Sequence, residues 1–154
     1  MYSNDLVCEI LKFINNNINK EITTDELCNI FQFDKTYIMK KFKKELGISI
    51  HNYINQMRVY QSLSNFKTDD YMLGIGIKHG FNSLEYFSET FKKVIGVSPT
   101  TYKNFLFKRS SISIENENTI MNSIIRLHNL KNSVNYYLNN QKPKELPVKT
   151  IFKL

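Results

Sequence analysis

The side chains best suited to chemistry in this 154-residue chain are a tight group of lysines. Lys35, Lys40, Lys41, Lys43 and Lys44 fall within ten residues. A lysine ammonium carries three donors and no acceptor, so it seeks anions and electron-rich edges. The same run is also what a solvated helix face looks like, and its surroundings must decide. Other chemistry has less to stand on. His51, His79 and His128 are scattered, and none shares metal-ligand spacing with a cysteine. No nucleophile sits beside a general base in a readable pattern, so no enzymatic activity is expected. Gly74-x-Gly76-x-x-x-Gly80 is not a dinucleotide fingerprint, because no strand precedes it. No metal and no cofactor are expected. Cys8 and Cys28 are too few for a disulfide scaffold and fit a reducing cytosol. Each reads as a buried, inert thiol, with a redox sensor as the alternative.

Composition narrows the class. Hydrophobic residues make up 42% of the chain, enough for a real core. No run approaches the roughly eighteen apolar residues of a membrane span. The start, MYSNDLVCEILKF, lacks a basic opening and a small-residue cleavage site, so a cytoplasmic protein is expected. The net charge of +7 favours an acidic partner, but it is unevenly spread. Residues 1–105 carry +2 and residues 106–154 carry +5. Local clustering, more than bulk charge, therefore marks the N-terminal part.

The elements that hold the lysines are repeated. Phe42-Lys43-Lys44-Glu45-Leu46-Gly47-Ile48-Ser49 matches Phe91-Lys92-Lys93-Val94-Ile95-Gly96-Val97-Ser98 at an offset of 49 residues. Tyr37-Ile38 pairs with Tyr86-Phe87, and Tyr53 with Tyr102. Upstream the offset becomes 48: Leu27-Cys28 pairs with Ile75-Gly76, and Phe33 with Phe81. One added residue between Phe81 and Tyr86 places a turn there, because turns tolerate insertions.

Each copy reads as helix, short turn, helix. Thr23-Thr24-Asp25-Glu26 fits a capping box. Asp34 can cap the next helix, where Ile38, Phe42 and Leu46 recur at four-residue steps, and Gly47 ends it. In the second copy Asp69 or Asp70 is expected to cap a helix over residues 72–79, with Gly80 in the turn. Asn82 or Ser83 then caps a helix that buries Phe87, Phe91 and Val94 and stops at Gly96. Ser98-Pro99 opens another helix, packed down by Tyr102, Phe105 and Leu106. Leu6, Ile10, Phe13 or Ile14, and Ile18 form an amphipathic first helix. Residues 50–66 read as one long connecting helix of roughly 25 Å, with Tyr53 or Ile54, Met57 and Leu63 inward.

A short helix pair with a tight turn lets its second helix project. An α-helix fits the major groove of DNA, where every base pair shows its own donors and acceptors. One such corner occurs in many bundles. Two, with lysines on the second helix of each, point to double-stranded DNA.

Residues from about 5 to 106 resemble the DNA-binding domain of the AraC/XylS family of bacterial transcription regulators. The matching string is Tyr37-Ile38-x-x-x-Phe42-Lys43-Lys44-x-x-Gly47, then Tyr53, then Arg58. It continues with Ile75-Gly76-x-x-x-Gly80-Phe81 and Tyr86-Phe87-x-x-x-Phe91-Lys92-Lys93-x-x-Gly96-x-Ser98-Pro99-x-x-Tyr102. The resemblance implies an all-α domain over residues 1–106. Its seven helices form two helix-turn-helix subdomains joined by a long linker helix. It also implies binding in adjacent major grooves and control of transcription, usually as an activator that contacts RNA polymerase.

Carried over by position, Asp34, Thr36, Met39 and Lys40 face bases from the first recognition helix. Leu84, Glu85, Ser88 and Glu89 hold the matching places in the second. Lys40 can donate to guanine O6 and N7, and Met39 or Thr36 can touch a thymine methyl. Lys35, Lys43, Lys44, Lys92 and Lys93 read as phosphate contacts or solvated charges. Arg58 is either a buried structural residue or another phosphate contact. The second helix departs from the family, which commonly carries arginine where Glu89 stands. Two carboxylates facing a polyanion repel it, although a glutamate can accept from cytosine N4. The second unit is therefore expected to add less affinity, and an interaction protein or antagonist of another regulator is the alternative reading. Gly76 stands where the family usually has alanine. Glycine there costs roughly 1 kcal/mol in a helix interior, and Gly74 adds to it.

Residues 107–154 form a C-terminal extension beyond the resemblance. Residues 110–118 read as a polar linker. Ile120, Ile124, Leu127, Val134 and Leu138 recur at helical spacing, so an amphipathic helix is expected at about 119–140. Pro143 and Pro147 break it, and residues 148–154 could be strand-like. Packing on the domain, a dimer or partner contact, and a basic tail on phosphates are the open roles. No separate effector-binding domain is seen, so no small-molecule ligand and a monomer are expected.

Overall fold

A computed structural model describes residues 3–68, 70–109 and 111–140, and every regular element among them is helical. The elements are α1 (Ser3–Asn16), α2 (Thr24–Phe31), α3 (Lys35–Leu46), α4 (Ile50–Ser62), a 3₁₀ turn (Leu63–Lys67), α5 (Met72–Lys78), α6 (Leu84–Ile95), α7 (Pro99–Phe107) and α8 (Ile114–Asn140). The chain divides into two units, Met1–Ile54 with Asn129–Leu154, and Asn55–His128. Residues of α8 fall in each of the two.

In the first unit α1 buries Leu6, Val7, Ile10, Leu11 and Ile14. Ile18 is also buried but lies past the helix end. The Thr23 hydroxyl accepts from Glu26 N at 3.1 Å and starts α2. α2 ends at Gln32, which takes the left-handed conformation at φ 60. The Asp34 carboxylate accepts from Tyr37 N at 2.9 Å and starts α3. α3 ends at Gly47, whose φ of 77 suits glycine. Ile38, Phe42 and Leu46 form its buried stripe. Tyr53 closes the core, donating to Asn15 Oδ1 at 2.7 Å, with its ring 6.0 Å from that of Phe42. Burial pushes the Tyr53 hydroxyl well above the usual phenol range.

The connecting helix is shorter than its apolar pattern suggests. α4 stops at Ser62 and a 3₁₀ turn follows. The buried Ser62 hydroxyl donates back to Val59 O at 2.6 Å, a bond that competes with helix geometry. The tightened turn brings Phe66 inward, its ring 5.1 Å from both Phe91 and Tyr102. Phe81 and Phe87 complete this aromatic core of the second unit. Phe105 and Leu106, expected to pack α7 down, are only half-buried, and Tyr102 carries that contact.

α5 also starts differently. Its cap position is Tyr71, with no side-chain hydrogen bond, so Asp70 does not cap it. Asp69 lies outside the described residues. The helix ends in a Schellman motif: Phe81 N donates to Gly76 O at 2.9 Å and Gly80 N to Ile77 O at 3.1 Å. Gly80 provides the left-handed residue at φ 93. Of the two caps weighed for α6, Ser83 is the one used, accepting from Tyr86 N at 3.1 Å. Ser98 accepts from Thr101 N at 3.1 Å, with Pro99 in the first turn of α7. α8 begins at Ile114, not near 119, because Ser113 accepts from Asn116 N at 3.1 Å. Glu115 and Glu117 then sit favourably in its first turn. Pro143, Pro147 and residues 148–154 lie outside the described residues.

The two α5 glycines have different reasons. A Cβ on Gly76 would lie 3.1 Å from Phe87 Cβ and Cγ, so glycine lets α5 approach α6. A Cβ on Gly74 would meet nothing within 4 Å. Cys28, the repeat partner of Gly76, is half-buried and not enclosed as expected, whereas Cys8 is buried. His79 caps α5 from a buried position, and its Nε2–H donates to Asn65 Oδ1 at 2.7 Å. Its buried Nδ1 has no hydrogen-bond partner among the described residues. Burial first, and Lys78 second, lower its pKa below the ordinary imidazole value.

Gly74→Ala should raise stability by about 0.5–1 kcal/mol in urea unfolding, and Gly76→Ala should not. An equal gain from both would contradict the close approach at Phe87. The neutral His79 favours the folded state above the unfolded imidazole pKa of about 6.5. The unfolded chain binds the proton more readily, so stability falls as pH drops through 6.5 toward the lower folded value. His79→Gln removes that term. The stability gap between wild type and variant should narrow between pH 7 and pH 5, and a constant gap would refute the assignment.

Candidate nucleic-acid interface

The apolar stripe of α3 decides which of its side chains face outward. With Ile38, Phe42 and Leu46 buried, Lys35, Thr36, Tyr37, Lys40, Lys43 and Lys44 are exposed, and so is Asp34 at the cap. Asp34, Thr36, Tyr37, Lys40, Lys41 and Lys44 line one shallow concavity. Met39, expected to face bases, is half-buried and does not line it. Lys41 stands apart from the rest of the cluster: its Nζ lies 3.9 Å from Glu45 Oε1 one turn on, and both side chains are largely covered. The outward face therefore offers ammonium groups, and Lys43 and Lys44 stand favourably in the last turn, at the negative end of the helix dipole.

α6 repeats the layout with different chemistry. Phe87, Thr90, Phe91, Val94 and Ile95 are buried. Leu84, Glu85, Glu89, Lys92 and Lys93 are exposed, and Ser88 is half-buried. Glu85 lies in the first turn, where a carboxylate meets the positive end of the helix dipole. That gives Glu85 a structural reason that Glu89, one turn later, does not share. Neither is in an ion pair among the described residues. The two basic groups of α6 sit in its last turn, so the acidic and basic parts of this face are separated along the helix.

Arg58 does not join the outward lysines. It is 8% exposed, on the buried side of α4, which favours the structural role over a phosphate contact. Burial pulls its pKa below the ordinary guanidinium value, against a smaller opposing effect of Tyr86.

Three features escaped the sequence reading. Phe33 and Tyr37 are both exposed and stack with ring centroids 4.9 Å apart and planes at 21°. Their repeat partners Phe81 and Tyr86 also meet, but edge-on at 5.7 Å, with Phe81 buried and the Tyr86 hydroxyl accepting from Asn55 Nδ2 at 2.9 Å. The uncapped start of α5 leaves Tyr71 88% exposed. With Leu73, Ile77 and Leu84, also exposed, it lines an apolar groove bordered by Asp70 and Lys78. An exposed run of large apolar side chains at helical spacing is visible in the sequence only once the opposite face of α5 is known to be buried. Among the described residues no group of His, Cys, Asp and Glu could hold a metal ion, and no helix is long and apolar enough to cross a membrane.

Residues 27–104 match the family described as a helix-turn-helix domain, so the match covers both helix pairs. The chain belongs to the AraC/XylS family. This AraC/XylS chain is 28% identical over 112 residues to the HTH-type transcriptional regulator YbfP of Bacillus subtilis. That match covers 72% of the chain and 38% of YbfP. It is 24% identical over 103 residues to the HTH-type transcriptional activator AarP of Providencia stuartii, covering 66% of the chain and 76% of AarP. Its fold is similar to a solved transcriptional regulator with an AraC-type DNA-binding domain from Chromobacterium violaceum, with a TM-score of 0.58 at 20% identity. That likeness covers 72% of the chain and 97% of the other. The family match ends before α8, which this AraC/XylS chain adds beyond it.

Proposed function

We propose that the chain is a sequence-specific DNA-binding transcription regulator that acts as an activator. Each helix pair presents its second helix to a major groove of double-stranded DNA. The observation that carries this reading is the α3 face: one stripe buried, and Lys35, Lys40, Lys43 and Lys44 exposed opposite it. Asp34, Thr36, Met39 and Lys40 read bases, with Lys40 donating to guanine. Lys35, Lys43, Lys44, Lys92 and Lys93 hold phosphates and set register. On α6, Leu84 meets thymine methyls, and Glu85, Ser88 and Glu89 supply polar contacts, the carboxylates accepting from cytosine N4. Glutamate repels the backbone, so the first unit carries more of the affinity. The similarity to AarP, a transcriptional activator, supports the sign of regulation.

A second reading has its own observation. The apolar groove of Tyr71, Leu73, Ile77 and Leu84 is the kind of exposed patch that marks a protein contact. It supports a protein partner for the second unit, RNA polymerase or another regulator. In the stronger form of this reading the chain is an antagonist with little DNA binding of its own.

Lys40 and Lys43 separate the two. Lys40→Ala should cost about 1–3 kcal/mol of discrimination between a bound site and its single-base variants. Lys43→Ala should weaken all sequences alike and shallow the log–log salt slope by about 0.9. Gel retardation and fluorescence anisotropy at several salt concentrations measure both. Equal loss of specificity from the two changes would contradict the roles. Failure to retard any promoter fragment at low salt would favour the antagonist.

A further inference from the structure

The structure assigns α8 a part in reading DNA: Ser123 and Arg126 are positioning residues that fix the carbonyl end of α6. The inference rests on the reading of α6 as a groove-facing helix. The last four carbonyls of any α-helix lack partners within it. In α6 those belong to Lys92, Lys93, Val94 and Ile95. Lys92 O accepts from Gly96 N at 2.8 Å. Ile95 O accepts from the buried Ser123 hydroxyl at 2.7 Å, and Val94 O from Arg126 Nη2 at 2.6 Å. Side chains of α8 thus take two more of the carbonyls that the glycine cap leaves open. Arg126 also brings a positive charge to the negative end of the helix dipole, where it is favoured.

Packing locks the same junction. Gly96 holds φ 95, and the Thr119 methyl fills the space a Cβ on Gly96 would need. Ile120, Ser123 and Leu127 are buried and recur at helical spacing, so this stretch of α8 turns one covered face inward. The start of α6 is fixed by Ser83 and its flank by Phe87 and Phe91. Its far end is fixed by α8, a segment outside the family domain.

The consequence falls on specificity more than on affinity. Hydrogen bonds between base edges and Glu85, Ser88 and Glu89, the carboxylates accepting, need a fixed bearing of the helix. The long stems of Lys92 and Lys93 can follow a phosphate through small tilts of the same helix. Loosening the carbonyl end therefore blurs base choice under the second unit and spares general binding.

The test uses the full chain and a DNA site selected from random sequence. Bases whose preference is lost on Ser88→Ala or Glu89→Ala are assigned to the second unit. Arg126→Ala should lose about tenfold in discrimination at those bases, equivalent to about 1.4 kcal/mol. Discrimination under the first unit and affinity for random DNA should hold. Arg126→Lys, which keeps a charged donor, should recover most of the loss. Should Arg126→Ala not fold, by circular dichroism and melting, Ser123→Ala carries the same comparison with about a threefold loss. A folded Arg126→Ala that melts lower yet discriminates normally would overturn the proposal, as would equal loss under both units. A chain that keeps every base preference on Ser88→Ala and on Glu89→Ala would instead sink the reading of α6 itself, and the proposal with it.

Discussion

Everything at the candidate interface depends on one constraint: each projecting helix is held by a single apolar stripe. Side chains four residues apart stack on one face of a helix, so Ile38, Phe42 and Leu46 leave the opposite face of α3 entirely free. Phe87, Phe91, Val94 and Ile95 do the same for α6. A wider stripe would have drawn Lys40 or Glu89 toward the core. A narrower one would not hold a helix of twelve residues against its fraying ends. The caps then set where each free face begins, through Asp34 in one unit and Ser83 in the other.

Within that shared plan the two units differ in physical character. The first packs mostly aliphatic side chains around the Phe42–Tyr53 ring pair and offers ammonium groups along its outward face. The second is closed by a cluster of aromatic rings, tightened by a 3₁₀ turn that brings Phe66 against Phe91 and Tyr102. Its outward face is acidic first and basic last. It also carries an exposed apolar groove on α5 and a buried neutral histidine at the end of that helix. A unit built this way depends more on packing than on charge. It is the natural side of the molecule for contacts other than phosphate.

Most of the architecture was legible in the sequence because its information is local. Thr23, Asp34, Ser83 and Ser98 announce helix starts through a hydroxyl or carboxylate three residues ahead of an amide. Gly47, Gly80 and Gly96 announce ends through left-handed backbone. The repeat fixes the number of helix pairs, and the stripes fix which lysines point outward. What was not legible depends on groups distant in sequence. The burial of Arg58 follows from what packs over α4. The break at Ser62 follows from one buried hydroxyl turning back on the chain. The start of α8 at Ile114 was hidden because Ser113 sits in a run that reads as linker. The bonds from Ser123 and Arg126 to α6 join residues about thirty apart, and no periodicity reports them.

Selection of bound fragments from a pool of random DNA bears most directly on the central claim. The account predicts an enriched pool with two separate blocks of preferred bases, the better-defined block belonging to the lysine-bearing first unit. A pool that binds at low salt without enriching any sequence would contradict it, because charge alone would then be driving the interaction.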